Sequence, residues 1–90
     1  MKQKFNSVWD AIEDDPIKAE NLKIRSSLMN DVVSELDKVA DSQQEAADLL
    51  AITQPRVSAL KQGRINDFRL DMLVDFALRL GLEVTIKVTA

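Results

Sequence analysis

The run Ser42 to Gly63, SQQEAADLLAITQPRVSALKQG, constrains this chain more than any other, because it packs two helix starts and two helix stops into a short stretch. Ser42 followed three residues later by Glu45 is a capping box, in which each side chain satisfies a free backbone donor at a helix start. The spacing predicts a helix from about Gln43, with Ala46, Ala47, Leu49 and Leu50 as its apolar stripe and Gln43, Gln44, Glu45 and Asp48 on its polar side. Ala51-Ile52-Thr53 interrupts it, and Thr53 is a good N-cap for a second helix beginning near Gln54. Pro55 fits the first turn of that helix, where no intrahelical donor is needed. Val57 and Leu60 supply one buried edge, and Gly63 stands where a left-handed residue ends the helix. Gln54, Arg56, Ala59 and Lys61 are left facing outward.

Two short helices joined by a three- to four-residue turn make a helix-turn-helix, whose second helix can enter the major groove of DNA. The outward residues suit that task. An amide such as Gln54 can bond to an adenine edge, a guanidinium such as Arg56 to guanine, and a small apolar side chain such as Ala59 can meet a thymine methyl. Lys61 and Arg64 are better placed for phosphates. The plainer reading is a helical hairpin with a solvated polar face.

The pattern Gln43, Ala47, Ile52, Gln54, Val57, Ser58, Leu60 and Gly63 resembles the helix-turn-helix of the XRE (Cro/CI-type) regulators. The wider runs NLKIRSSLMNDVV, QQEAADLLAITQPRVSAL and LDMLVDFALRLGLEVTI resemble the HigA-type antitoxins among them, over about residues 20 to 88. The resemblance implies a mainly α-helical, lambda-repressor-like domain of four to five helices. It implies phosphate contacts from Gln43 and Arg64, and base contacts from Gln54, Pro55, Arg56 and Ala59. With Thr53, Ser58 and Lys61 these form the candidate DNA-binding set. It further implies a small basic toxin of the RelE-like ribonuclease kind as partner. Two positions depart from the pattern. Ala51 stands where relatives have Gly, a substitution that costs about 1 to 2 kcal/mol if the turn is left-handed. Arg69 stands where a Ser or Thr cap is expected for the last helix.

Composition bounds the reading. The 90 residues make one small domain. The chain lacks cysteine and histidine, so disulfides, thiolate metal sites and the commonest catalytic bases and nucleophiles are excluded. Gly63 and Gly81 are the only glycines, so no glycine-rich phosphate loop exists. The adjacent acids Glu13-Asp14-Asp15 lack the spacing and turn glycine of a calcium loop and read as a solvated linker. No cofactor, metal or enzymatic activity is expected. Without a membrane-length apolar run or a secretory h-region, the expected location is the cytoplasm.

A net charge of −3 argues against nucleic acid only if the charge is spread evenly. It is not. Residues 1–48 carry −5, residues 49–69 carry +3 and residues 70–90 carry −1. The one positive segment holds the proposed recognition helix, which implies modest affinity per protomer with strong salt dependence.

The remaining segments supply scaffold and partners. From about Ala19 to Val39, Leu22, Leu28, Met29, Val32, Val33, Leu36 and Val39 mark one face of a long helix, and Leu70, Leu73, Val74, Ala77 and Leu78 mark another that ends at Gly81. After Gly81 the period changes to two. Leu82, Val84, Ile86 and Val88 alternate with polar residues, the pattern of a half-buried strand. With no second strand in the sequence, residues 82–88 are expected to pair antiparallel with a second copy in a symmetric homodimer, which would read a pseudo-palindromic operator. The alternative is a strand lying along its own helices. The domain is accordingly drawn at residues 19–90. Residues 1–18 form an N-terminal segment in which Phe5, Val8, Trp9 and Ile12 fall at i, i+3, i+4 and i+7 before the acidic break that ends in Pro16. That segment either folds back over the core or docks on a partner protein.

Three functions fit this sequence: an operator-binding repressor that is the antitoxin of a toxin pair and regulates its own promoter, a stand-alone phage-type regulator, and an acidic dimeric interaction module.

Overall fold

The first helix begins earlier than its apolar periodicity indicates. In the computed structural model, which describes residues 14–90, α1 runs Pro16–Val39. The Asp15 carboxylate accepts a hydrogen bond from the Ile17 N–H at 2.9 Å, and Pro16 takes a first-turn position where its missing donor costs nothing. Asp15 is therefore a cap as well as part of the acidic run, and the boundary drawn at residue 18 falls inside α1. The candidate partner-binding residues Phe5, Val8, Trp9 and Ile12 lie outside the described residues.

Three further helices follow: α2 (Gln43–Leu50), α3 (Gln54–Lys61) and, after a 3-10 turn at Ile65–Asp67, α4 (Leu70–Arg79). The start of α2 matches the capping signal with one difference. Ser42 Oγ accepts from the Glu45 N–H at 3.1 Å, but the Glu45 carboxylate reaches past Ser42 to the Asp41 N–H at 3.0 Å. Thr53 caps α3 through a long bond from the Arg56 N–H, 3.4 Å. Arg69, at the N-cap of α4, makes no side-chain capping bond.

Three helices end the same way. At α3 the Gly63 N–H bonds Leu60 O and the Arg64 N–H bonds Ala59 O, both at 3.1 Å. At α4 the Gly81 N–H bonds Leu78 O at 3.0 Å and the Leu82 N–H bonds Ala77 O at 2.9 Å. At α2 the Ala51 N–H bonds Asp48 O at 3.3 Å and the Ile52 N–H bonds Ala47 O at 3.0 Å. Each is a Schellman pair, which requires a left-handed residue at its centre. Gly63 and Gly81 supply it with φ of 77° and 83°, whereas Ala51 is forced to φ 58°.

The four helices enclose one core. Met29, Val32 and Leu36 of α1 meet Ala46, Ala47 and Leu50 of α2, Val57 and Leu60 of α3, and Leu73, Phe76 and Ala77 of α4. Ile65 and Phe68 enter it from the link between α3 and α4. Phe68 is fully buried and meets Phe76 edge to face at 6.1 Å. A side chain of this size contributes about 1.5 to 3 kcal/mol on burial, so a short link is held as firmly as a helix. Arg25 of α1 also secures it, donating to Ile65 O and Phe68 O at 3.4 and 3.3 Å. Met29 and Met72 pack in or against this core.

Residues 82–88, expected as a strand, form no strand among the described residues. A ladder needs a second backbone, and no other extended segment among these residues provides one. The alternation nevertheless survives at its start, where Leu82 and Val84 are half-buried against the core and Glu83 and Thr85 are exposed. Ile86 and Val88 are 69% and 89% exposed. No helix among the described residues is long and apolar enough to cross a membrane.

Candidate nucleic-acid interface

The surface of α3 and the start of α2 gathers most of the expected site residues. Val57 and Leu60 anchor α3 in the core, which turns Pro55, Ser58 and Gln62 to the other side of the helix, whereas Ala59, expected to face outward, is half-buried and packs partly against the core. Gln43, Gln44, Thr53, Gln54, Pro55, Lys61, Gln62 and Arg64 are exposed, and Ser58 and Ala59 half-buried.

Amides join the two helices. Gln43 Nε2 donates to the backbone oxygen of Gln54 at 2.9 Å, which fixes the first turn of α3 against the first turn of α2. Gln54 Nε2 donates to Gln44 Oε1, and Gln44 Nε2 in turn donates to Asp48 Oδ1 at 2.9 Å. The Gln54 side chain is thus oriented before any ligand arrives, and among the described residues no bond forms at its own Oε1. Preorientation lowers the entropy lost when an amide binds a base edge.

Gln62 is a residue that the sequence reading passed over. It lies one helical turn beyond Ser58. Its Nε2 donates to Ser58 Oγ at 3.1 Å, and its Oε1 accepts from Arg64 Nε at 3.2 Å. The signal that could have found it is the i, i+4 spacing from Ser58, which continues the outward face past the end of the apolar edge.

Two basic residues are placed otherwise than the outward face suggests. Lys61 Nζ lies 3.0 Å from Asp37 Oδ1 of α1, with both side chains largely exposed. Such pairs are worth little and exchange readily for other partners. Arg56, expected to face outward, is half-buried. Its guanidinium lies over the Phe68 ring at 4.3 Å and donates to Asp67 O at 3.2 Å. Arg56 and Arg25 therefore both hold the 65–68 link. Arg64 and Arg69, both exposed, flank that link.

Among the described residues no group of three His, Cys, Asp or Glu side chains is arranged to hold a metal ion. Residues 11–89 match the family described as a helix-turn-helix domain. No curated protein matches the chain.

Proposed function

The chain belongs to the helix-turn-helix domain family, and from that premise we propose that it is a sequence-specific transcriptional repressor that occupies an operator as a homodimer. The observation that carries this reading is the preoriented, exposed amide face of α2 and α3. Gln54 offers adenine a bidentate partner, Ser58 and Gln62 continue the polar face, and Ala59 can meet a thymine methyl. Gln43, Thr53, Pro55, Lys61 and Arg64 border the groove, the polar ones among them within reach of phosphates. Arg56 reads guanine only by leaving Phe68 and Asp67. In the resting arrangement it fixes the frame that carries the readers. No catalytic role is assigned to this chain, and its place of action is the cytoplasm.

A second copy would complete the C-terminal segment. Leu82 and Val84 anchor it, while Ile86 and Val88 leave an apolar edge for antiparallel pairing across a two-fold axis. Two recognition helices about 34 Å apart would then read a pseudo-palindrome. An antitoxin role, with a RelE-like toxin as partner, is supported by the resemblance to HigA-type antitoxins alone. Copurification with a small basic protein encoded beside the gene would test it.

The primary test is fluorescence anisotropy on a labelled duplex from upstream of the gene, beside a scrambled duplex, at two salt concentrations. Specific sites are typically favoured by about 10³ to 10⁷, and phosphate contacts make affinity fall steeply with salt. Equal weak binding to both duplexes would sink the repressor reading for that DNA and favour a protein-interaction module.

A further inference from the structure

The C-terminal segment is held by its side chains and free along its backbone. The Leu82 N–H bonds Ala77 O at 2.9 Å, and beyond that bond the N–H and C=O groups of residues 83–88 form no hydrogen bond among the described residues. Val84 and Ile86 line an apolar groove of about 530 Å³ whose other walls include Ile24 and Leu28 of α1 and Leu70 and Val74 of α4. Leu82 and Val84 pack on the core beside it. Glu83, Thr85 and Lys87 alternate with this apolar row and are exposed. A row of free donors and acceptors fixed in this way is a template for another strand.

We propose that the template takes a second copy of this chain in one register, with the two-fold axis through Thr85, an inference that rests on the homodimer reading and specifies it. Directly opposed residues of an antiparallel pair point to the same face. An axis between two residues, such as Val84 and Thr85, would therefore set each apolar side chain against a polar one. The axis must pass through a residue. Through Glu83 or Lys87 it would bring like charges face to face. Through Val84, Glu83 would face the partner's Thr85, and through Ile86, Lys87 would face it instead. Only through Thr85 does Glu83 face the partner's Lys87, and it does so on both sides of the axis. Thr85 then faces the partner's Thr85.

The apolar row supports the same axis. Leu82 faces the partner's Val88, and Val84 faces the partner's Ile86. Leu82 and Val84 are the residues that their own helices anchor, whereas Ile86 and Val88 are largely exposed. Each copy's anchored half thus covers the other's exposed half. Opposite charges, paired threonines and paired β-branched residues are all favourable cross-strand neighbours, so both faces of the two-stranded ribbon select this register.

The experiment compares the intact protein with Glu83→Lys, Lys87→Glu and the double exchange by sedimentation equilibrium. Both sites are exposed, so far-UV circular dichroism should show the helices retained. Each single reversal sets like charges opposite each other twice and should raise the dimer dissociation constant about three- to tenfold, while the double exchange should return it to within about twofold of the parent. Net charge alone predicts otherwise. From −3, Glu83→Lys lowers the repulsion between copies and Lys87→Glu raises it, so the two effects would have opposite signs. The chain lacks cysteine, which allows a second readout. Opposed Cα atoms stand about 4.5 to 5.5 Å apart, within disulfide reach, so Thr85→Cys should link to itself under mild oxidation several-fold faster than Val84→Cys or Ile86→Cys. A dimer indifferent to the reversals, or one that links fastest through position 84 or 86, would overturn the register and leave the homodimer reading standing. A protein that stays monomeric at every concentration would overturn both.

Discussion

Replacing Ala51 with glycine should stabilise the domain, and its own other helix ends set the scale. Gly63 and Gly81 make the same pair of terminal bonds at φ 77° and 83° that Ala51 makes at φ 58° and ψ 43°. For an L-residue the left-handed region costs about 1 to 2 kcal/mol, from Cβ against the neighbouring carbonyl. Glycine removes that cost but enlarges the unfolded ensemble by about 0.4 to 1 kcal/mol. Ala51 is exposed and outside the core, so its methyl adds almost nothing to packing. The net gain is about 0.5 to 1 kcal/mol, which for a domain of this size raises Tm by about 3 to 6 °C. Thermal and urea unfolding followed by far-UV circular dichroism measure it, with an unchanged urea m-value marking a change in stability without a change in the surface exposed on unfolding. Ala51→Val provides the opposite control, since a β-branched residue tolerates φ above zero even less well. An Ala51→Gly protein that melts at or below the parent temperature, with Ala51→Val equally unaffected, would refute the reasoning by showing that the turn carries no strain.

Arg56→Ala should lower stability by about 1 to 2 kcal/mol, the sum of a partly desolvated cation–π contact and one hydrogen bond. Anisotropy on operator and scrambled duplexes then separates its roles, because a base reader loses about 1 to 3 kcal/mol on the operator alone. Gln62→Ala should leave the melting temperature nearly unchanged yet relax selectivity at one operator position by about 1 to 3 kcal/mol, as scored by single-base operator variants. A uniform affinity loss across those variants would place Gln62 on the phosphate backbone instead. Ile86→Lys should shift the protein toward monomer in sedimentation equilibrium, since a charge in a shared apolar edge opposes pairing. An unaltered dimer would take the interface away from residues 82–88.

Local signals account for what the sequence disclosed. The limits of α2 and α3 were legible because Ser42, Glu45, Thr53 and Gly63 act within one turn of themselves, and a backbone group's need for a partner is the same in any fold. The start of α1 was not. Pro16 disfavours helix in the residue before it and favours helix at its own position, and the apolar stripe begins too late to say which side wins. Phe68 carried no signal either, for in the run RINDFR it is one aromatic residue without periodicity. Burial of Phe68 is decided by α1 and α4 closing over the link, through contacts far apart in sequence. The placement of Arg56 then follows from Phe68. Helical periodicity puts Arg56 between the buried and exposed sides of α3, so its direction depends on whether a ring and a free carbonyl stand beside it. Phe68 and Asp67 O supply both. A residue whose chemistry points to DNA is thereby held first by its own fold, and any reading of a base must compete with that hold.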